Sequence, residues 1–176
     1  MNNKYLSNIL RFFGVLAIQL LILNNVHLVG FLVPVVYVYF IMKLPFGTKR
    51  LVVLFLSFLT GAMIDLFIGT YGIHASATTL IGYFRRGFLK ICFGDIEDNT
   101  DNTPSIKERG FNPFLGYTAL LAGIHITAFF ILENIGFGFS VMLIWRVLAS
   151  IAFSIFLIVL IELLMQSSQK QQRKNY

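Results

Sequence analysis

Apolar residues in this chain come in long runs broken by short polar clusters, without the strict alternation of a half-buried strand. A run of about 20 such residues is what a bilayer-spanning helix needs. Six runs predict six helices: 5–23, 28–42, 51–69, 73–84 with a continuation to 93 left open, 114–132 and 139–165. The second carries Pro34 near its middle, and the second and fourth are short for a hydrocarbon core of about 30 Å at about 1.5 Å per residue. They are expected to be tilted, broken or partly interfacial. Lys4 and Arg11 ahead of the apolar stretch Phe12 to Leu23 imitate a secretion signal, but Asn24-Asn25-Val26-His27 follows with no small-x-small cleavage site, which predicts a retained helix. The polar stretch 85–113 reads as a loop.

Composition turns this pattern into a class. Of the 176 residues 57% are apolar and 12% charged, against about 45–50% and about 25% in soluble domains, and the mean hydropathy is +0.77. A water-soluble globule is excluded, and a single all-α membrane domain over 1–176 is expected. The net charge of +6 points to topology and not to nucleic acid, because the basic residues sit in clusters between the runs. With both ends in the cytoplasm, the inner segments hold Lys4 and Arg11, then Lys43, Lys49 and Arg50, then Arg85, Arg86, Lys90, Lys107 and Arg109, then Lys170, Arg173 and Lys174. That accounts for all but Arg146 of the 14 Lys and Arg, and the outer turns 24–27, 70–72 and 133–138 hold none. This is the distribution the positive-inside rule describes.

Candidate chemistry is sparse. Cys92 is the only cysteine, so neither an internal disulfide nor a cysteine metal cluster is expected, and no metal or cofactor is predicted. Asp95, Glu97, Asn99 and Asp101 alternate like the start of a calcium loop, but Thr100 and Ile106 stand where glycine and a bidentate glutamate are needed; a solvated loop is the expectation. Zinc-protease, nucleophile-elbow and phosphate-loop signatures are absent, and a non-enzyme is expected.

What remains is a handful of polar groups in apolar surroundings. Asp65 lies about 6 Å inside the outer end of the third run, on one stripe with Gly61 and Gly69; the glycines are expected to admit a close backbone neighbour. Its carboxylate is predicted to reach across the turn to the first N–H groups of the fourth helix or to His74. The functional alternative pairs it with Arg146, about 10 Å from the outer end of the sixth run. His125 is expected to bond a neighbouring helix, with a proton relay as the alternative. Glu162 reads as an interfacial anchor, and Arg85 and Arg86 as a basic cuff at the inner headgroups.

Leu44-Pro45, then Gly61-x-x-x-Asp65-x-x-x-Gly69-x-x-Gly72-x-His74-Ala75, then Gly82-Tyr83 and the Arg85 pair resemble the bacterial rod-shape-determining MreD family over residues 44–86. The chain departs from the family pattern in its longer loop 94–110. The resemblance implies a fold similar to the substrate-binding S components of vitamin transporters, with Pro45, Gly61, Asp65, Gly69 and Gly72 on the family's motif. It also implies an inner-membrane scaffold that binds single-pass MreC and, through the complex, links MreB filaments to peptidoglycan synthesis by RodA and its transpeptidase partner. The rival expectation is a vitamin-transporter S component. Against it, the first run offers only Gly14 and Ala17 where spaced alanines would dock an energising module.

Overall fold

The computed structural model describes residues 3–23, 32–95, 102–136, 138 and 140–174, and these are helical apart from turns and short irregular segments. The order is α1 (Asn3–Ala17), continuing as a π-helical turn (Ile18–Leu23), α2 (Val38–Met42), α3 (Arg50–Ile68), α4 (Ile73–Phe93), α5 (Ile106–Arg109), α6 (Phe111–Glu133) and α7 (Val141–Lys174). Three of these are long and apolar enough to cross a membrane: α3, α6 and the Val141–Gln166 part of α7. The turn 24–27, the start of the second run, and Glu97, Asn99 and Asp101 lie outside the described residues.

α4 has the length to cross, with 21 residues or about 31 Å, but carries His74, Ser76, Thr78, Thr79, Arg85, Arg86 and Lys90. It runs without a break to Phe93, the longer of the two extents the sequence leaves open, so the loop expected over 85–113 starts only after it. α3 and α4 pack antiparallel across the turn 69–72, α4 packs on α6 and α6 on α7. α3 exposes Leu51, Phe55, Leu66 and Phe67, and α7 exposes Val141, Trp145 and Phe156, faces suited to lipid.

The second run is not a helix through its length. Residues 32–36 are irregular and only Val38–Met42 form a short helix. Pro34 has no N–H and pushes Val33 out of the α region, and β-branched Val33, Val35 and Val36 favour extended backbone. Yet this segment is the centre of the molecule: Val35 to Met42 are all buried, among α1, α4, α6 and α7. Burial against lipid-like neighbours gains little in a membrane, whereas each unpaired backbone group there costs several kcal/mol. The partners of those groups therefore decide whether the segment can lie where it does.

Side chains supply them. Val33 N–H donates to Ser150 Oγ at 3.1 Å and Val35 N–H to Ser154 Oγ at 3.0 Å. Gln19, buried in the π-helical turn, accepts from Val36 N–H at 2.9 Å and donates from Nε2 to the Pro34 carbonyl at 2.9 Å. Four residues of α7 rise about 6 Å and two residues of extended chain about 6.6 Å, so serines spaced by four meet alternate N–H groups of a strand running the same way. The same stripe of α7 continues through buried Ile158 to Glu162, whose Oε2 accepts from Tyr39 Oη at 2.7 Å.

Ser154→Ala is expected to destabilise the detergent-solubilised protein by about 1–3 kcal/mol and Gln19→Leu by more, because each strands buried backbone groups. Ser76→Ala, at an exposed hydroxyl, is expected to stay within about 0.5 kcal/mol. Thermal unfolding in detergent ranks the three.

Candidate functional site

The α3–α4 turn gathers five of the residues singled out from sequence. α3 ends at Gly69 (φ +81) and α4 begins after Gly72 (φ +95), left-handed positions that glycine adopts without strain. Gly72 has no side chain to cap α4, and Asp65 does that work from the neighbouring helix. Its Oδ1 accepts from His74 N–H at 3.0 Å and its Oδ2 from Ala75 N–H at 2.8 Å, the second and third N–H groups of α4, where a local capping side chain would bond. Thr70 Oγ1 donates to Oδ1 at 2.5 Å, and the Asp65 carbonyl accepts from Gly69 and Thr70 N–H. A buried carboxylate, 7% exposed, thus faces the positive end of a helix dipole.

Gly61 makes this reach possible. A Cβ there would lie 2.5 Å from Ala75 Cα and from the His74 carbonyl oxygen, so the absence of a side chain lets the start of α4 touch α3. Gly69, expected to serve the same close approach, has nothing near its missing Cβ; its role is the left-handed turn.

His74 passes the turn's position inward. Tyr37 Oη bonds His74 Nδ1 at 2.8 Å and His125 Nε2 at 2.7 Å. With one proton, the hydroxyl donates to one imidazole and accepts from the other. Thr78 Oγ1 donates to the His74 carbonyl at 2.6 Å and lies 3.3 Å from His125 Nε2. α4 and α6 are thereby tied through the irregular segment, and His125 Nδ1 stays buried with no partner among the described residues.

The opposite end of α4 holds the segment's exit. Arg85 is not part of an exposed cuff: it is 2% exposed, donating from Nε to the Ile41 carbonyl at 3.0 Å and from Nη2 to the carbonyls of Leu44 and of Pro45, the latter at 3.4 Å. Arg86 is exposed. Pro45 also accepts from Thr48 Oγ1 at 2.8 Å. Glu162, expected at the interface, is 2% exposed and pairs with Lys43 at 3.0 Å, while Gln166 Nε2 donates to its Oε1 at 2.9 Å. Ser150, Ser154, Glu162 and Gln166 on one stripe of α7, interrupted by Ile158, were the available signal for this pair. Buried ions need such company, since leaving one alone costs several kcal/mol.

Arg146 does not join Asp65. The described ion pairs are Lys43–Glu162 and Lys90–Asp95, and the Arg146 guanidinium lies 5.2 Å from the centre of the Phe130 ring. All three of Asp65's side-chain hydrogen bonds stay within residues 70–75. Among the described residues, no group of three His, Cys, Asp or Glu side chains converges as metal ligands.

Two sets of variants read these contacts in detergent unfolding. Asp65→Ala is expected to lose about 2–4 kcal/mol and Asp65→Asn less, as one acceptor oxygen survives; Gly61→Ala should fall with Asp65→Ala, because it drives the helices apart. Glu162→Ala should lose about 3–5 kcal/mol by stranding Lys43, with much of the loss recovered in Lys43→Met/Glu162→Leu. No family model, curated protein or solved structure matches the chain, so its function rests on residues and geometry.

Proposed function

We propose that this chain is a six-span scaffold of the MreD type in the bacterial inner membrane, with both termini cytoplasmic. It serves cell elongation by binding MreC and, through that complex, coupling MreB filaments to RodA and its transpeptidase partner. No catalytic step is assigned to it. The observation that carries the reading is the α3–α4 turn: of the family-like motif, Gly61 and Asp65 hold the start of α4, Gly69 and Gly72 take the left-handed positions of the turn, and His74 bonds Tyr37. Residues committed in this way hold a shape for a partner to recognise, and leave little for chemistry on a substrate.

The interior supports the same choice over vitamin capture. Small-molecule sites enclose roughly 300–1,000 Å³, whereas here Val35 to Met42 fill the space between the helices. Regulation of peptidoglycan synthesis by a non-catalytic membrane protein fits a rigid body whose polar groups are turned inward and whose outer faces are apolar.

Depletion in a growing rod-shaped cell should give rounding, and the affinity-tagged chain should retain MreC from detergent extracts. Asp65→Ala should weaken that retention, as the turn loses its cap. Normal cell shape with impaired vitamin uptake, or a vitamin co-purifying one to one, would replace the scaffold by the transporter component.

A further inference from the structure

Three ring side chains in the core form one hydrogen-bonded line, and a hydroxyl beside it fixes where the protons sit. Thr78 has a single hydroxyl proton and gives it to the His74 carbonyl at 2.6 Å. Toward His125 Nε2, 3.3 Å away, it therefore presents only lone pairs. Nε2 is the protonated nitrogen of His125, shared between Thr78 Oγ1 and Tyr37 Oη, the latter at 2.7 Å. Tyr37, accepting from His125, has its own proton left to donate to His74 Nδ1 at 2.8 Å. The line runs one way, from His125 through Tyr37 to His74.

Its first atom is open. In the neutral ring so defined, His125 Nδ1 carries a bare lone pair, buried with no partner among the described residues. Buried polar atoms are seldom left so, and this one is the place in the line where a proton can be added. The far end is charged differently. His74 is the second residue of α4, where the helix dipole opposes a cation. The Asp65 carboxylate, bonded to the His74 N–H at 3.0 Å and acting on its ring by charge, offsets that. Around His125 itself, the irregular segment brings Tyr37 and α4 brings His74. From α7 comes Arg146, over the Phe130 ring five residues along α6, and from α3 comes Asp65, beyond His74. Asp65 alone of these is an anion, so a cation finds its counter-charge at His74 and not at His125.

We propose that Tyr37, His74 and His125 form a proton-binding relay: a proton from water enters at His125 Nδ1, and its charge comes to rest on His74 beside Asp65. The step balances over two hops. As Nδ1 gains its proton, the N–H bond at His125 Nε2 breaks and that proton bonds to Tyr37 Oη, while the Tyr37 O–H proton passes to His74 Nδ1. Tyr37 ends with one proton as it began, His125 ends neutral as the other tautomer, and His74 ends as the imidazolium. Nothing is oxidised or reduced, and the bond given up is the 3.3 Å contact to Thr78. The new cation draws His74 toward the Asp65 cap, so proton uptake in the core is felt at the α3–α4 turn. The proposal goes beyond the scaffold reading and does not depend on it.

Nitrogen-15 NMR of the full chain in nanodiscs, with labelled histidines and the third histidine removed as His27→Gln, reads which ring nitrogens carry protons. At neutral pH both His74 and His125 are expected as Nε2–H tautomers. As the pH falls the two rings are expected to change together with one midpoint, His74 to the imidazolium and His125 to the Nδ1–H tautomer. Tyr37→Phe should uncouple them, leaving His125 with its Nε2 proton, and Asp65→Asn should move the charge from His74 to His125. Thr78→Val, which removes only a hydroxyl bonded back to its own helix and to His125, keeps the test open if either of those variants fails to fold. It should release His125 to populate the Nδ1–H tautomer at neutral pH. Four results in the chain with Tyr37, Asp65 and Thr78 intact would each overturn the proposal: His125 as the Nδ1–H tautomer at neutral pH, separate midpoints for the two rings, a charge resting on His125, or unfolding before either ring gains a proton.

Discussion

Residues 33–36 put peptide groups that no helix satisfies among apolar side chains, and the rest of the structure is arranged around their hydrogen bonds. In a bilayer the exchange of lipid for protein contacts is nearly neutral for an apolar side chain, while an unpaired N–H costs several kcal/mol. The serine stripe of α7 and the π-helical turn that delivers Gln19 are the two devices that meet this demand. A wide turn of this kind is rare in helices and tends to mark a special role. Here it sets one amide side chain against the Pro34 carbonyl and the Val36 N–H together.

Both ends of the segment are then tied to the same neighbour. Tyr37 reaches His74 at the start of α4, and Arg85 near its other end grips the carbonyls of 41, 44 and 45. The close contact at Gly61 and the cap from Asp65 fix α4 against α3. A displacement of the α3–α4 turn would therefore be felt at Tyr37, His125 and α6. This connectivity joins the surface carrying the family-like motif to the middle of the bundle through hydrogen bonds.

Much of the fold was legible in the sequence where a single helix decides the matter. The runs of α3, α6 and α7 are long and apolar, and Asp65 one turn before a Gly-x-x-Gly turn announced a cap across it. The losses came where two distant segments decide together. Lys43, Arg85 and Glu162 look like interfacial charges when each is read on its own run, and only the return of residues 33–44 into the core makes them buried partners. Pro34 signalled a break, but nothing local shows that the broken stretch is central. Arg146 at comparable depth to Asp65 suggested a pair that the turn's own donors pre-empt.

The bonds between the irregular segment and α7 join residues 117 and 119 apart in the chain, which places a demand on synthesis. At about 5–20 residues per second, the segment emerges roughly 6–24 seconds before its serines exist. Until then Gln19 is the only one of these partners already made. The newborn segment must wait in water, at the bilayer surface or in the care of the insertion machinery until α7 arrives to close this core.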